Sequence, residues 1–320
     1  MTIHKPVLLH EVIEGLNLKN GAVVVDATLG GGGHAIEILK RIGETGKLIA
    51  IDVDEGAIKS FSSKLKVQSS KVEIRKPKAG NFLTVRDNFV NLKNILGGLG
   101  VETVDAILAD LGYSSDQMED GARGLSFQKD ADLDMRLDRN NKVTAKDVVN
   151  NYTRNELENI LKIYGEEKFA QSIAKKIVEY RKDREIETTL ELVKTIESAV
   201  PEKYRHGRIS PATKTFQALR IEVNQELENL EKFIPQAIEV LSPGGRLGII
   251  SFHSLEDRIV KNIFRAQARG CLCPKNFPVC RCEHKEKVKI ITKKPVVPSA
   301  GELESNPRAR SSKLRIAEKI

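Results

Sequence analysis

Short apolar runs closed by a carboxylate recur through the first 110 residues of the chain. Ala22-Val-Val-Val-Asp26 is the first, Lys47-Leu-Ile-Ala-Ile-Asp52 the second and Val104-Asp-Ala-Ile-Leu-Ala-Asp110 another, with a weaker run at Val72-Glu-Ile74 between them. Ala35, Ile38, Leu39 and Ile42 fall at helical spacing between the first two runs. Continuous apolar strands joined by helices predict a parallel sheet covered on both faces, an α/β doubly wound, Rossmann-like fold.

That alternation stops near Ala145. From there to Val200 the chain reads as successive helices, and Thr153-Arg-Asn-Glu156 and Thr188-Thr-Leu-Glu191 both fit the capping box. Phe169, Ile173 and Ile177 form an apolar stripe that predicts core packing. A further helix is expected from about Ala212 to Leu230, followed by a turn at Ser242-Pro-Gly-Gly245. Strand character returns at Arg246–Phe252, Val288–Thr292 and Lys313–Ala317. The expected organisation is one α/β domain over residues 1–120 and 215–320, with a helical substrate-recognition domain inserted at 121–214.

Charge changes this picture at one end. The chain is 40% hydrophobic and 30% charged, which suits a large buried core, and its net charge is +8. Residues 258–320 carry 16 basic and 5 acidic side chains, while residues 1–257 carry 36 and 39. A basic terminal segment on a nearly neutral body suits a polyanion such as RNA. With no Trp and five Tyr, aromatic stacking platforms are not the expected means of contact. No apolar run is long enough for a membrane span, so no membrane partner is expected. Charges interrupt the short apolar stretch at the N-terminus, and all four cysteines lie between Cys271 and Cys282. These features predict a cytoplasmic protein. The exposed faces of the helical domain could pair two subunits as a homodimer, without any heptad pattern to specify it.

The candidate chemistry sits where strands end. Gly30-Gly-Gly-Gly33-His34 follows the first strand and opens a helix, where a ligand can approach the backbone and meet free amides. Gly30 to Ala35 also fits the dinucleotide fingerprint, and Asp52 could accept both ribose hydroxyls, so an NAD-dependent oxidoreductase is one reading. Asp110-Leu-Gly-Tyr113 resembles loosely the Asp-Pro-Pro-Tyr motif of amino-group methyltransferases, in which oxygens accept amine protons and an aromatic ring packs on the base. Ser251-Phe-His253-Ser-Leu-Glu256-Asp-Arg258 could bind a polar substrate or accept a proton at His253, or could simply start a helix with Ser254 as its cap. A non-catalytic RNA-binding assembly factor is a third reading, opposed by the intact glycine turn. Cys271, Cys273, Cys280 and Cys282 form two C-x-C pairs. They are candidate zinc ligands, but C-x-C is a short spacing for a tetrahedral chelate. Reduced loop cysteines and no metal are therefore expected.

Taken in order, several motifs closely resemble the bacterial RsmH (MraW) family. They are His4–Glu11, Gly31-Gly-Gly-His34, Asp110-Leu-Gly-Tyr-Ser-Ser115, Leu133-Asp-Met-Arg-Leu-Asp138, Pro211–Ile221, Ile250–Arg258 and Asn306–Arg315. Members of that family are S-adenosylmethionine-dependent methyltransferases of a cytosine N4 in 16S ribosomal RNA. The resemblance implies S-adenosyl-L-methionine as cofactor, 16S rRNA or the small ribosomal subunit as partner, and the decoding region as target. It implies cofactor contacts at Gly32, Gly33, His34, Asp52, Phe82, Asp110 and Gln117, with Phe82 expected just after the third strand. Asp110 is the first candidate to orient the amine, and His253 the second for substrate contact or proton removal. The chain departs from the family pattern at Ser210, Tyr113 and Leu125, none of them among these cofactor positions.

Overall fold

The computed structural model describes residues 5–71, 81–113, 117–118, 121–207, 210–271, 273, 277–279, 281–282 and 285–320. The chain divides into two compact units, Met1–Gly112 with Leu227–Ile320, and Tyr113–Glu226.

The first unit is built on a seven-stranded sheet of order β3-β2-β1-β4-β5-β7-β6. Its strands are β1 (Val23–Asp26), β2 (Lys47–Asp52), β3 (Phe82–Arg86), β4 (Val104–Asp110), β5 (Leu241–Ser251), β6 (Val288–Ile290) and β7 (Lys313–Lys319). β1 to β5 are parallel, and β7 runs antiparallel between β5 and β6. Dinucleotide-binding sheets of this family carry 3-2-1-4-5-6 with every strand parallel. Here β7, between the last two, is instead reversed.

Because side chains alternate along a strand, each central strand feeds two cores. Val24, Leu48, Ala50, Ala106 and Leu108 point to one face, which is covered by α1 (Leu9–Gly15), α2 (Gly33–Ile42) and α3 (Glu55–Lys71). Val25, Ile49, Ile51, Ile107 and Ala109 point to the other, under α4 (Leu92–Gly98) and the helices Glu226–Val240 and Ser254–Gln267. Fully burying a Leu, Ile or Phe contributes about 1.5–3 kcal/mol, so these two layers hold most of the unit's stability. The sheet therefore presents a rigid C-terminal edge bearing Asp26, Asp52 and Asp110.

The expected third strand, Val72–Ile74, lies outside the described residues. The β3 that pairs with β2 starts later, at Phe82, and Phe82 is opposite Leu48 while Arg86 is opposite Asp52. The Ala212–Leu230 helix is broken in two. Gln225 adopts a left-handed conformation (φ 50°) that caps Ala212–Asn224, and the next helix runs Glu226–Val240.

The second unit is helical. Capping boxes start its helices at Thr144, Thr153 and Thr188, the latter two as the sequence indicates. Its core gathers Val148, Leu157, Leu161, Ile173, Ile177, Leu192, Ile196 and Leu219, with Phe169 packed against it at the rim. Helix Ala212–Asn224, expected on the α/β side, buries Phe216, Ala218 and Leu219 in this helical core. Among the described residues, no helix is long and apolar enough to cross a membrane.

Candidate active site

The turn after β1 is shaped by positive-φ glycines, Gly30 at 48° and Gly32 at 76°. A side chain on Gly32 would bring its Cβ within 2.5 Å of the Phe61 ring, and one on Gly33 within 2.9 Å of the Pro6 ring. Glycine is thus required for conformation and for close packing. Asp52, at the end of β2, is held by the turn: Gly30 N donates to Oδ2 at 2.7 Å and Asp54 N to Oδ1 at 2.8 Å. Two amide donors fix this half-buried carboxylate at the end of β2.

His34 is buried in the first turn of α2. Its Nε2 lies 2.9 Å from the Val7 carbonyl oxygen, which can only accept, so Nε2 carries a proton. Nδ1 then faces Asp110 Oδ2 at 3.5 Å. Asp110 N donates to Thr28 Oγ1 at 2.6 Å, tying the end of β4 to the glycine turn. Asp110 Oδ1 is buried without a hydrogen-bond partner, and so is Asp26 Oδ2. Burial raises the Asp110 carboxyl well above its ordinary range, assisted by the charges of Asp26 and Glu256. Burial likewise pushes Asp26 up to about 7, against a hydrogen bond from the Thr28 amide and with help from Asp52.

The electrostatics discriminate between ligands. Asp26, Asp52, Asp110 and Glu256 are four acids influencing one another across the strand ends, and two of them have buried unpaired oxygens. A dinucleotide would bring its anionic pyrophosphate into that field, whereas a ligand bearing positive charge relieves the cost of burying the acids. A positively charged ligand would suit this edge better than a pyrophosphate.

Phe82 does not sit at this edge. It begins β3, four residues before the Arg86–Asp52 pair, and stacks edge-on to Phe61 with ring centroids 6.0 Å apart. The ring past the C-terminal end of β3 is Phe89, in the short helical turn Phe89–Asn91, 5.0 Å from Phe233. The sequence signal that could have found Phe89 is Asp87-Asn88, whose side chain caps that turn by accepting the Val90 amide at 3.0 Å. Gln117 belongs to the second unit and is buried there.

His253 is the N-cap of helix Ser254–Gln267, one residue before the expected Ser254. Its Nδ1 accepts the Glu256 amide at 3.4 Å, and Glu256 Oε2 accepts the amides of Phe252 and His253 at 2.7 and 3.2 Å. With Nδ1 accepting, the proton is on Nε2, which lies 3.2 Å from Glu256 Oε1 yet makes no hydrogen bond. A proton acceptor needs a free lone pair, and His253 has none to offer. It is a capping residue in this structure. The neighbouring Asp257 forms a buried bidentate pair with Arg315 of β7, at 2.6 and 3.2 Å. Burial alone would raise its carboxyl, but hydrogen bonding to Arg315 holds it below the usual range. Tyr113 has Arg220 over its ring at 5.0 Å, so one face of that ring is already occupied. No disulfide joins Cys271, Cys273 or Cys282 among the described residues, and Cys280 lies outside them.

The profile of the MraW methylase family matches residues 1–320. The chain belongs to this family. A relative named ribosomal RNA small subunit methyltransferase H, from Finegoldia magna, is 50% identical over 318 residues, covering 99% of this chain and 98% of that protein. The protein of the same name from Acetivibrio thermocellus is 52% identical over 317 residues, covering 99% of both. A solved rRNA methylase from Streptococcus thermophilus aligns over 100% of this chain and 99% of its own, with 13% identity and a TM-score of 0.43.

The protein is therefore an S-adenosylmethionine-dependent methyltransferase, and its residues fit that donor. S-adenosylmethionine carries a sulfonium and an ammonium group, the positive charges that Asp26 and Asp110 lack as partners. Asp52 lies against the glycine turn, where a carboxylate would suit a ribose diol. Donor binding should therefore depend on pH through Asp26. A bound cation favours its ionised form, so affinity should be full above pH 7 and weaken by up to about tenfold per unit below it. Calorimetry in buffers of differing ionisation enthalpy should register proton release near pH 7, and Asp26→Asn should abolish it. Linkage has the opposite sign for the free protein: a raised folded pKa gives stability at acid pH that is lost as pH rises through 7. Asp26→Asn should therefore unfold at a higher temperature than the wild type at pH 8.

Proposed function

We propose that the protein methylates the exocyclic N4 of a cytosine in 16S rRNA, within the decoding region of the small ribosomal subunit. The observation that carries this reading is Asp110, a buried carboxyl with one unbonded oxygen at the strand edge beside the donor's glycine turn. An N4 lone pair is delocalised into the pyrimidine ring and is a poor nucleophile. The donor supplies an electrophilic methyl group, so the protein's task is alignment and charge. Asp110 Oδ1 accepts an N4 hydrogen, turns the amine toward the methyl and helps localise its lone pair. As the carbon–nitrogen bond forms, the amine must lose that hydrogen as a proton. Asp110 suits its uptake, because burial and the neighbouring acids already raise its proton affinity. His34, fixed by Val7, sets its Nδ1 3.5 Å from the other Asp110 oxygen.

The base has to leave its stack to reach a strand edge, which favours a splayed, single-stranded segment. The basic residues of 258–320 supply counter-charge for its phosphates. The relatives' name supports ribosomal RNA of the small subunit as the acceptor. The test is transfer of labelled methyl to small subunits, and to naked 16S rRNA, from cells lacking the enzyme. N4-methylcytidine in the nucleoside digest is the expected product. Label in any other nucleoside, or none with donor binding intact, would overturn the assignment.

A further inference from the structure

The loop between helix Ser254–Gln267 and β6 is closed at its base, where Lys287 N donates to the Gln267 carbonyl at 2.8 Å. Within it, Cys271, Cys273 and Cys282 bring their Sγ atoms within 4.8 Å of one another, although eleven residues separate the first from the last. We propose that these three thiolates form one face of a structural zinc(II) site, completed by a fourth donor, which holds this loop in shape.

Three observations converge on the metal. Cys271 Sγ and Cys282 Sγ are 3.7 Å apart. Two sulfurs each about 2.3 Å from a tetrahedral zinc stand roughly 3.8 Å apart, whereas a disulfide requires about 2.05 Å. Backbone amides also point at the sulfurs: Cys273 N donates to Cys271 Sγ at 3.4 Å, and Arg281 N to Cys273 Sγ at 3.4 Å. Such N–H donors orient the ligands, the role that outer contacts play around a metal. They also answer the objection that C-x-C is too short to chelate, since the turn from 271 to 273 already folds the amide back onto the sulfur. Finally, the loop has little other reason to keep its shape. Among its described residues, Phe277 and Val279 are 47% and 68% exposed and form no apolar core for it. Small apolar-poor elements of this kind gain their order from a metal.

Zinc binding releases the thiol protons to solvent and involves no oxidation, so three Zn–S bonds form as three S–H bonds are lost. The ordered loop carries Arg269, Arg281, Lys285 and Lys287 on a fixed scaffold.

The experiment uses the full-length protein, purified under reductant and analysed for metal by mass spectrometry. The chelator-stripped protein is then titrated anaerobically with cobalt(II) and back-titrated with zinc(II). Stoichiometric zinc, a thiolate-to-cobalt charge-transfer band with intense tetrahedral visible bands, and their bleaching by zinc are the expected results. Cys273→Ser should weaken zinc binding by about a hundredfold or more, and Cys282→Ser should do the same, checked independently. Trypsin should cut the stripped protein first at Arg281 and Lys285 and spare both in the zinc-loaded form. Three results would each overturn the site. One is reduced protein that takes up neither zinc nor cobalt. Another is serine variants that bind zinc as the wild type does. The third is a Cys271–Cys282 disulfide in protein alkylated on lysis.

Discussion

Replacing Asp110 by Asn should lower methyl transfer by about two to three orders of magnitude, the scale of losing one preorganised oxygen partner of the transition state. The amide keeps the side chain's shape, and the backbone amide of residue 110 can still donate to Thr28 Oγ1, so the strand end should stay in place. What is lost is an anionic acceptor. The amine is no longer oriented by a carboxylate oxygen, and its proton has no nearby group of raised basicity to receive it. The defect should lie mainly in kcat, with donor affinity reduced less, because Asp26 and Asp52 remain at the strand edge. In the wild type, kcat should fall on acidification as Asp110 is held protonated, and the variant should lack that limb of the profile. Single-turnover kinetics over a pH series, with donor affinity measured in parallel, separates the two contributions. Wild-type kcat for Asp110→Asn would remove this carboxylate from the mechanism.

Gly124→Ala should be among the most destabilising single substitutions of the helical unit, at about 3 kcal/mol or more. Gly124 has φ 61°, where any side chain is strained, and an added Cβ would fall 2.1 Å from the Asp132 carbonyl oxygen. That neighbour is backbone and is pinned on both sides. Leu133 N donates to the Glu187 carbonyl at 3.1 Å, and Met135 N to the Arg123 carbonyl at 2.8 Å. The chain cannot move aside without breaking the crossing of segments 123–125 and 132–135. Denaturant unfolding should show the loss directly. Ser126→Ala, two residues along, serves as a control: its hydroxyl accepts the Gln128 amide at 3.2 Å in an exposed position.

The strands that were plain in the sequence are those buried on both faces. β1, β2 and β4 read as unbroken apolar runs because helices cover each side of the sheet, and the carboxylates closing them mark the ligand edge. β3 escaped for the opposite reason. It is an edge strand, its five residues are half-buried or exposed, and Phe82-Leu-Thr-Val-Arg86 therefore shows no continuous run. Misplacing that strand carried Phe82 to the wrong end of the sheet, and the register with Leu48 corrects it. The break at Gln225 had no glycine or proline to announce it. His253 as a helix cap was equally illegible, since the usual capping side chains are Ser, Thr, Asp and Asn. The glycine turn, Asp52 and Asp110 were legible as positions. Their shared negative field was not, because it arises from which strands are neighbours and how deeply the acids are buried.

The order of segments along the chain has a consequence for synthesis on the ribosome. The helical unit is a single uninterrupted stretch, Tyr113–Glu226, whereas the sheet unit is split, with β5, β6 and β7 in the last part to be made. The helical unit can close its core while the sheet still lacks three strands. During that interval β4 has a bare edge where β5 will later pair, and the nascent α/β half remains open for roughly 5–20 s at ordinary elongation rates. The glycine turn, Asp52 and Asp110 are therefore all made before β5, the strand that completes the sheet beside β4. A shortened chain ending before Lys313 would leave β5 without its outer neighbour, and it should be a substrate for chaperones and proteases before it is ever a methyltransferase.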